Sequence, residues 1–245
     1  MDNIYCHFLV FFMFTRILLL LSVFFSATTV FAAVGDLDEL RDFGNKNEWR
    51  LHKNDKRHNI QVYVKNEDGQ SVRSFKVEAM LDAPVETLAR IQFDIDAFPR
   101  WYFAVTEAKM LKKLSDKEYI FYMVHDAPVG TPDRDVILKV TIEPMTKKQP
   151  YVLLKFNALP DYLPPRPPFV RMLAEDYTVK WTPVDKNTTK LESEGFIHPG
   201  GIAPSWAVNF VQGKGPYVNM MGLRRMLFLP QYNDPQAPIM FTIKQ

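Results

Sequence analysis

The sequence predicts an α+β protein in which a curved antiparallel sheet wraps around a long carboxy-terminal helix. Two observations carry that reading. From Trp49 to His198 the chain is a succession of runs in which apolar and polar residues alternate, the period of strands with one buried face, separated by short turn-like segments. After the last of them, Gly200-Gly201-Ile202-Ala203-Pro204 leads into a stretch ending at Leu229 whose large apolar side chains recur at helical steps. Antiparallel strands with a single apolar face need a cover, and the amphipathic helix supplies it.

At the amino terminus, Phe8 to Ala33 is almost wholly apolar, interrupted by Arg16, and closes on Val30-Phe31-Ala32-Ala33. The small residues fit cleavage after Ala32, so residues 1–33 read as a secretory signal peptide with Ile17 to Val30 as its apolar region. Residues 34–245 then form a single domain, periplasmic or secreted. The rival reading is an uncleaved membrane anchor, because the run from Ile17 is only slightly short of a bilayer span. The single cysteine, Cys6, lies inside this segment, so the mature chain carries no thiol and both disulfides and thiol catalysis are excluded.

Asp36 to Phe43 reads as a short amphipathic helix capped by Asp36. Trp49 to Lys53, Ile60 to Lys65 and Val72 to Leu81 read as an antiparallel meander, with Glu67-Asp68-Gly69-Gln70 as the second turn. Pro84 opens a helix through Phe93, since its fixed φ suits the first helical position, and Val85, Leu88, Ile91 and Gln92 fall on adjoining turns. Asp94 to Tyr102 follows as a short second helix or turn, its two acids reading as helix caps.

Lys109 to Lys113 and Lys117 to His125 form a hairpin around Leu114-Ser115-Asp116, followed by strands at Val136 to Ile142 and Tyr151 to Leu159. The five prolines between Leu159 and Phe169 make a stiff extended loop, because proline cannot donate to a ladder. Arg171 to Thr182 and Thr188 to His198 complete the strands. In the closing helix, Trp206, Phe210, Tyr217, Met220, Met221, Leu223 and Leu227 mark an apolar face, and Gly213-Lys214-Gly215-Pro216 predicts a kink or break.

Composition excludes some functions. A formal net charge of +2, with basic residues scattered among acidic ones, gives little support to nucleic-acid binding. His125 beside Asp126 has no second histidine at a metal-ligand spacing, and His198 reads as a strand-end residue. Ser205 lies outside any G-x-S-x-G turn, and Gly213-Lys214-Gly215 lacks the rest of a phosphate loop. A catalyst needs convergent titratable groups, and the sequence does not assemble them; no catalytic residue, metal ligand or cofactor is expected.

Four features in order resemble the START lipid-transfer domains. They are Asp96 to Tyr102 with its Trp101, the PxxxPDRD segment Pro128 to Asp135, the alternating strand Lys190 to His198, and Gly200-Gly201-Ile202-Ala203-Pro204-Ser205-Trp206-Ala207-Val208-Asn209. The similarity spans nearly all of Trp49 to Leu229. It implies a helix-grip fold around a cavity for one lipid-like molecule, with the family's Arg-Asp pair at Arg134 and Asp135 and its helix-opening Trp and Asn at Trp206 and Asn209. Arg134 with Asp135 reads as a structural pair holding the loop to the sheet. Where sterol-binding members often carry a second arginine, this chain has Val140, which points to a more apolar pocket.

Under that resemblance, Trp101, Phe121, Met123, Arg134, Asp135, Val140, Trp181, Phe196, Trp206, Asn209, Phe210, Tyr217 and Met220 are expected to line the cavity or its mouth. The expected partner is a lipid or other hydrophobic small molecule, with transient membrane contact, no nucleic acid and a monomeric state. Ala127 to Asp133 and the closing helix are expected to gate the cavity, yielding at Gly130 and at the Gly213 to Pro216 step. The alternative is an enzyme on the same scaffold, cyclase- or hydrolase-like, acting on an apolar substrate.

Overall fold

The computed structural model describes residues 47–67, 72–127 and 130–245. The expected signal segment, the expected helix at Asp36 to Phe43, most of the expected turn at Asp68, and Pro128 lie outside the described residues, as does the Trp206 side chain.

The strands are β1 (Arg50–Asp55), β2 (Ile60–Asn66), β3 (Arg73–Leu81), β4 (Val105–Ser115), β5 (Glu118–His125), β6 (Arg134–Glu143), β7 (Val152–Ala158), β8 (Val170–Arg171), β9 (Ala174–Pro183) and β10 (Thr189–His198). The helices are α1 (Val85–Phe93), a 3-10 turn at Ile95–Arg100, α2 (Ser205–Met226) and α3 (Pro230–Asn233). All long strands join one sheet in the order β1-β2-β3-β10-β9-β7-β6-β5-β4, every neighbouring pair antiparallel, with the short β8 parallel to the start of β6. The non-consecutive neighbours β3 and β10 join the first meander to the later strands, so each half of the chain completes the other's sheet.

The alternation read from sequence sets the inner face. On β9, Glu175, Tyr177, Val179 and Trp181 point inward, and on β10 Thr189, Leu191 and Ser193 do. α1 buries Val85, Leu88 and Ile91, as its periodicity predicted. The buried residues of the inner face and of α1 form one continuous core with Met220, Leu223 and Met226 of α2.

Two features differ from expectation. First, α2 runs from Ser205 to Met226 without interruption, through Pro216. Proline forfeits one helical hydrogen bond, but packing on both sides of the step holds the helix. A Cβ at Gly213 would stand 2.8 Å from the His52 ring, and one at Gly215 would touch the Phe103 ring at 3.4 Å. The glycines therefore serve close approach to β1 and to the segment after the 3-10 turn. Gly200 and Gly201 do form the anticipated corner, at φ +66° and +55°, a left-handed region open to glycine at little cost.

Second, residues 230–245 form a strap that sequence patterning did not bring out. Phe241 packs between Phe93 and Tyr119, with ring centroids 5.0 and 4.6 Å away, and Ile243 is buried beside it. Met145 donates its N–H to the Ile243 carbonyl and Gln245 donates to the Met145 carbonyl. The Arg90 guanidinium donates to the carbonyls of Tyr232, Pro235 and Ala237.

Candidate functional site

Between α2 and the inner face of the sheet lies a cavity of about 150 Å³. Its walls are predominantly apolar: Phe75, Val77, Val179 and Leu191 from the sheet, and Trp101 after the 3-10 turn. α2 contributes Ala207, Val208, Val211, Gly215, Pro216, Asn219, Met220 and Leu223, a row at three- and four-residue steps. Most of these are small, and small side chains on the covering helix are what leave the space empty. The exposed lining residues Asp126 and Pro204 mark the mouth.

Three of the residues singled out from sequence line this cavity: Trp101, Arg134 and Met220. Trp206 lies outside the described side chains, and the rest lie elsewhere. Phe121, Met123, Val140 and Trp181 face inward but are packed into solid core. Phe196 is on the outer face, because strand alternation gives the cavity its neighbour Ile197 instead. Phe210 is 51% exposed, with the Lys214 ammonium 5.1 Å from its ring centroid, so it is on the solvent side of α2. Tyr217 donates to Asp55 Oδ2 at 2.7 Å and ties the helix to the β1–β2 hairpin. Asn209 is half-buried beside the cavity-facing row, with Oδ1 unpartnered.

Asp135 corrects a second expectation. It is fully buried, and its partner is Arg171, which grips it side-on with Nε to Oδ1 at 3.0 Å and Nη2 to Oδ2 at 2.9 Å. Arg171 also donates to the carbonyls of Pro160, Leu163 and Pro164, so this pair holds the proline-rich loop to the sheet. Adjacent strand residues point to opposite faces, so Arg134 and Asp135 cannot share a partner. Arg134 turns to the cavity, and Nη1 donates to the Pro132 carbonyl while Nη2 reaches the Ile202 carbonyl at 3.4 Å.

The sequence did not foresee a polar cluster in the cavity wall. His125 Nε2 lies 3.2 Å from Glu175 Oε2, and Tyr102 Oη lies 3.2 Å from Tyr177 Oη and 3.5 Å from Glu175 Oε1. Phe103, next to Tyr102, donates its N–H to Asn219 Oδ1 of α2 at 2.6 Å. Glu175 had a legible signal: a carboxylate in phase with Tyr177, Val179 and Trp181 on a strand must be buried and needs a partner. Burial and the Glu175 charge push the phenols of Tyr102 and Tyr177 far up, so both remain neutral donors.

Burial alone would depress the His125 imidazolium, but the Glu175 carboxylate and the Phe103 carbonyl outweigh it and raise its pKa above the ordinary value. A raised folded pKa stabilises the protein fully below the unfolded pKa of about 6.5, and that contribution is lost as pH rises through the folded value. Thermal unfolding followed between pH 6 and 9 should therefore show a loss of stability on the alkaline side that is smaller in His125→Gln. An equal loss in both proteins rejects the buried ion pair.

Comparison with known proteins agrees with this architecture. The START domain family model matches residues 40–227. The crystal structure of a STAR-related lipid transfer protein fragment from Xanthomonas axonopodis is 29% identical, covers 74% of this chain and 99% of that fragment, and superposes with a TM-score of 0.67. Human STARD10, at 22% identity, covers 79% of this chain and 78% of its own and shares the fold with a TM-score of 0.63. A Pseudomonas aeruginosa protein described as uncharacterised is 25% identical over 177 residues, which are 72% of this chain and 85% of that protein.

Proposed function

Because the chain belongs to the START domain family, whose helix-grip fold it shares, we propose that it is a non-enzymatic carrier holding one molecule of lipid or similar compound between the sheet and α2. The observation that carries this is the predominantly apolar cavity under a row of small residues on α2. Burying each methylene of a ligand contributes about 0.8 kcal/mol, so an acyl chain is held without strong polar contacts.

The free volume of about 150 Å³ falls below the roughly 300–1,000 Å³ of ligand pockets, so loading requires the cavity to widen. The second half of α2 is pinned by Tyr217 to Asp55 and by Arg224 to the Met80 carbonyl. Widening would fall on Gly130, which stands at φ +89° with open space beside it, and on the amino-terminal half of α2. Export places the carrier outside the cytoplasm, and amino-terminal sequencing that begins at Ala33 or Val34 supports this, whereas recovery of Met1 supports an anchor.

Native mass spectrometry of purified protein tests the carrier reading. Wild type should retain a bound lipid mass, and Met220→Trp, which fills the cavity, should fold but emerge empty. Equal retention by both proteins removes the cavity from the account. A second reading, acid–base catalysis, is favoured by the convergence of His125, Glu175 and Tyr102 on the cavity wall. Recovery of the bound molecule unchanged after incubation supports the carrier, and recovery of a chemically altered product supports the enzyme.

A further inference from the structure

We propose that the cavity takes an amphiphile with a single anionic group, a carboxylate or a phosphate monoester, and seats that group on Arg134 at the mouth. This rests on the carrier reading and adds the charge of the ligand.

Arg134 opens β6 directly opposite His125 on β5, and both side chains line the cavity. Two basic groups facing each other across a ladder repel. His125 has its carboxylate in Glu175, whereas Arg134, only 6% exposed, has none within ion-pair distance among the described residues. Asp135, its chain neighbour, is held on the opposite face by Arg171. Asp133 acts on Arg134 only from farther away, its Oδ1 accepting the Ala127 N–H. A buried guanidinium satisfied by carbonyls alone is an incomplete arrangement, because desolvating the charge costs several kcal/mol unless an anion compensates.

The geometry of the fork adds direction. The Nε and Nη2 edge, which takes a carboxylate or phosphate two oxygens at a time, carries a single 3.4 Å contact to the Ile202 carbonyl, and Nε has no partner. An arriving anion replaces that carbonyl and so frees the loop between β10 and α2. The same place lies beside the start of α2, whose Pro204 cap makes no side-chain bond and whose first turn holds no acid, leaving the positive end of the helix dipole uncompensated. Of the acids on the cavity wall, Glu175 is neutralised by His125 and Asp126 is exposed to solvent.

The test uses delipidated full-length protein and three probes with the same acyl chain: the free fatty acid, the monoacylglycerol phosphate, and the fatty acid methyl ester. Wild type should bind at least one anionic probe about 10- to 100-fold more tightly than the ester, the gain expected of a charge-assisted hydrogen-bonded pair. Whichever anionic probe wins identifies carboxylate or phosphate as the source. Arg134→Gln should lose the preference while still binding the ester, and Arg134→Lys should retain part of it. If wild type binds the ester as tightly as both anionic probes, or Arg134→Gln leaves the preference intact, the proposal is overturned while the carrier reading stands. Failure of all three probes to bind wild type overturns both. The wild-type comparison needs no variant, and the lysine substitution keeps the charge should the glutamine protein fail to fold.

Discussion

Asp135→Ala should destabilise the protein by about 3–5 kcal/mol, the cost of removing one partner from a buried ion pair. The carboxylate is fully buried and takes two donors from Arg171, and the alanine variant leaves that guanidinium without its carboxylate. The loss should spread beyond the pair, because Arg171 also collects the carbonyls of Pro160, Leu163 and Pro164 and so anchors the loop before β8. Chemical denaturation of the two proteins measures it. Asp135→Leu combined with Arg171→Met, which replaces both charges by apolar groups, should cost clearly less than Asp135→Ala. A double variant as unstable as the single one shows that loss of packing, and not an orphaned charge, sets the penalty.

Gly222→Val should be comparably damaging. A Cβ at Gly222 would overlap the Trp101 carbonyl oxygen, so α2 crosses the segment after the 3-10 turn backbone against backbone. Overpacking in a well-packed core costs typically 1–3 kcal/mol, and rigid main chain on both sides places this site at or above the upper end. The displacement should also pull Asn219 from the Phe103 N–H and widen the cavity at Trp101. The variant should therefore melt well below wild type while taking up acyl probes faster. Unchanged melting and uptake would mean that the helix crosses Trp101 with room to spare.

What was legible in the sequence is what periodicity encodes. The strands, α1 and the glycine corner before α2 follow from local pattern, and the order of elements with the resemblance identified the fold. Bulk marks the cavity side of α2 correctly at Met220 and Leu223 but not at Phe210 or Tyr217. A helix over a solid core shows its bulk inward, but a helix over a cavity turns Ala207, Val208, Val211 and Gly215 inward and leaves Phe210 in solvent. Pairings between distant residues left no local trace: Arg171 lies 36 positions from Asp135, and Glu175 lies 50 from His125. Gly213 and Gly215 looked like a helix break because sequence gives a glycine's freedom but not the neighbour it makes room for.

The strap of residues 230–245 and the cavity stand at opposite ends of β5. The strap covers the sheet where β5 begins, with Phe241 on Tyr119, whereas His125 and Arg134 stand at the far end of β5, about 20 Å away at the rise of an extended chain. Between these two ends Phe121 and Met123 of β5 are packed into solid core, so among the described residues the cavity does not reach the strap. Under the proposed carrier reading, with its seat at Arg134, an amphiphile would enter tail first and leave by backing out, so its charged end would be the last part in and the first part presented to whatever surface receives it. Loading and unloading would use the same opening, and a carrier of this shape would meet donor and acceptor with the same face.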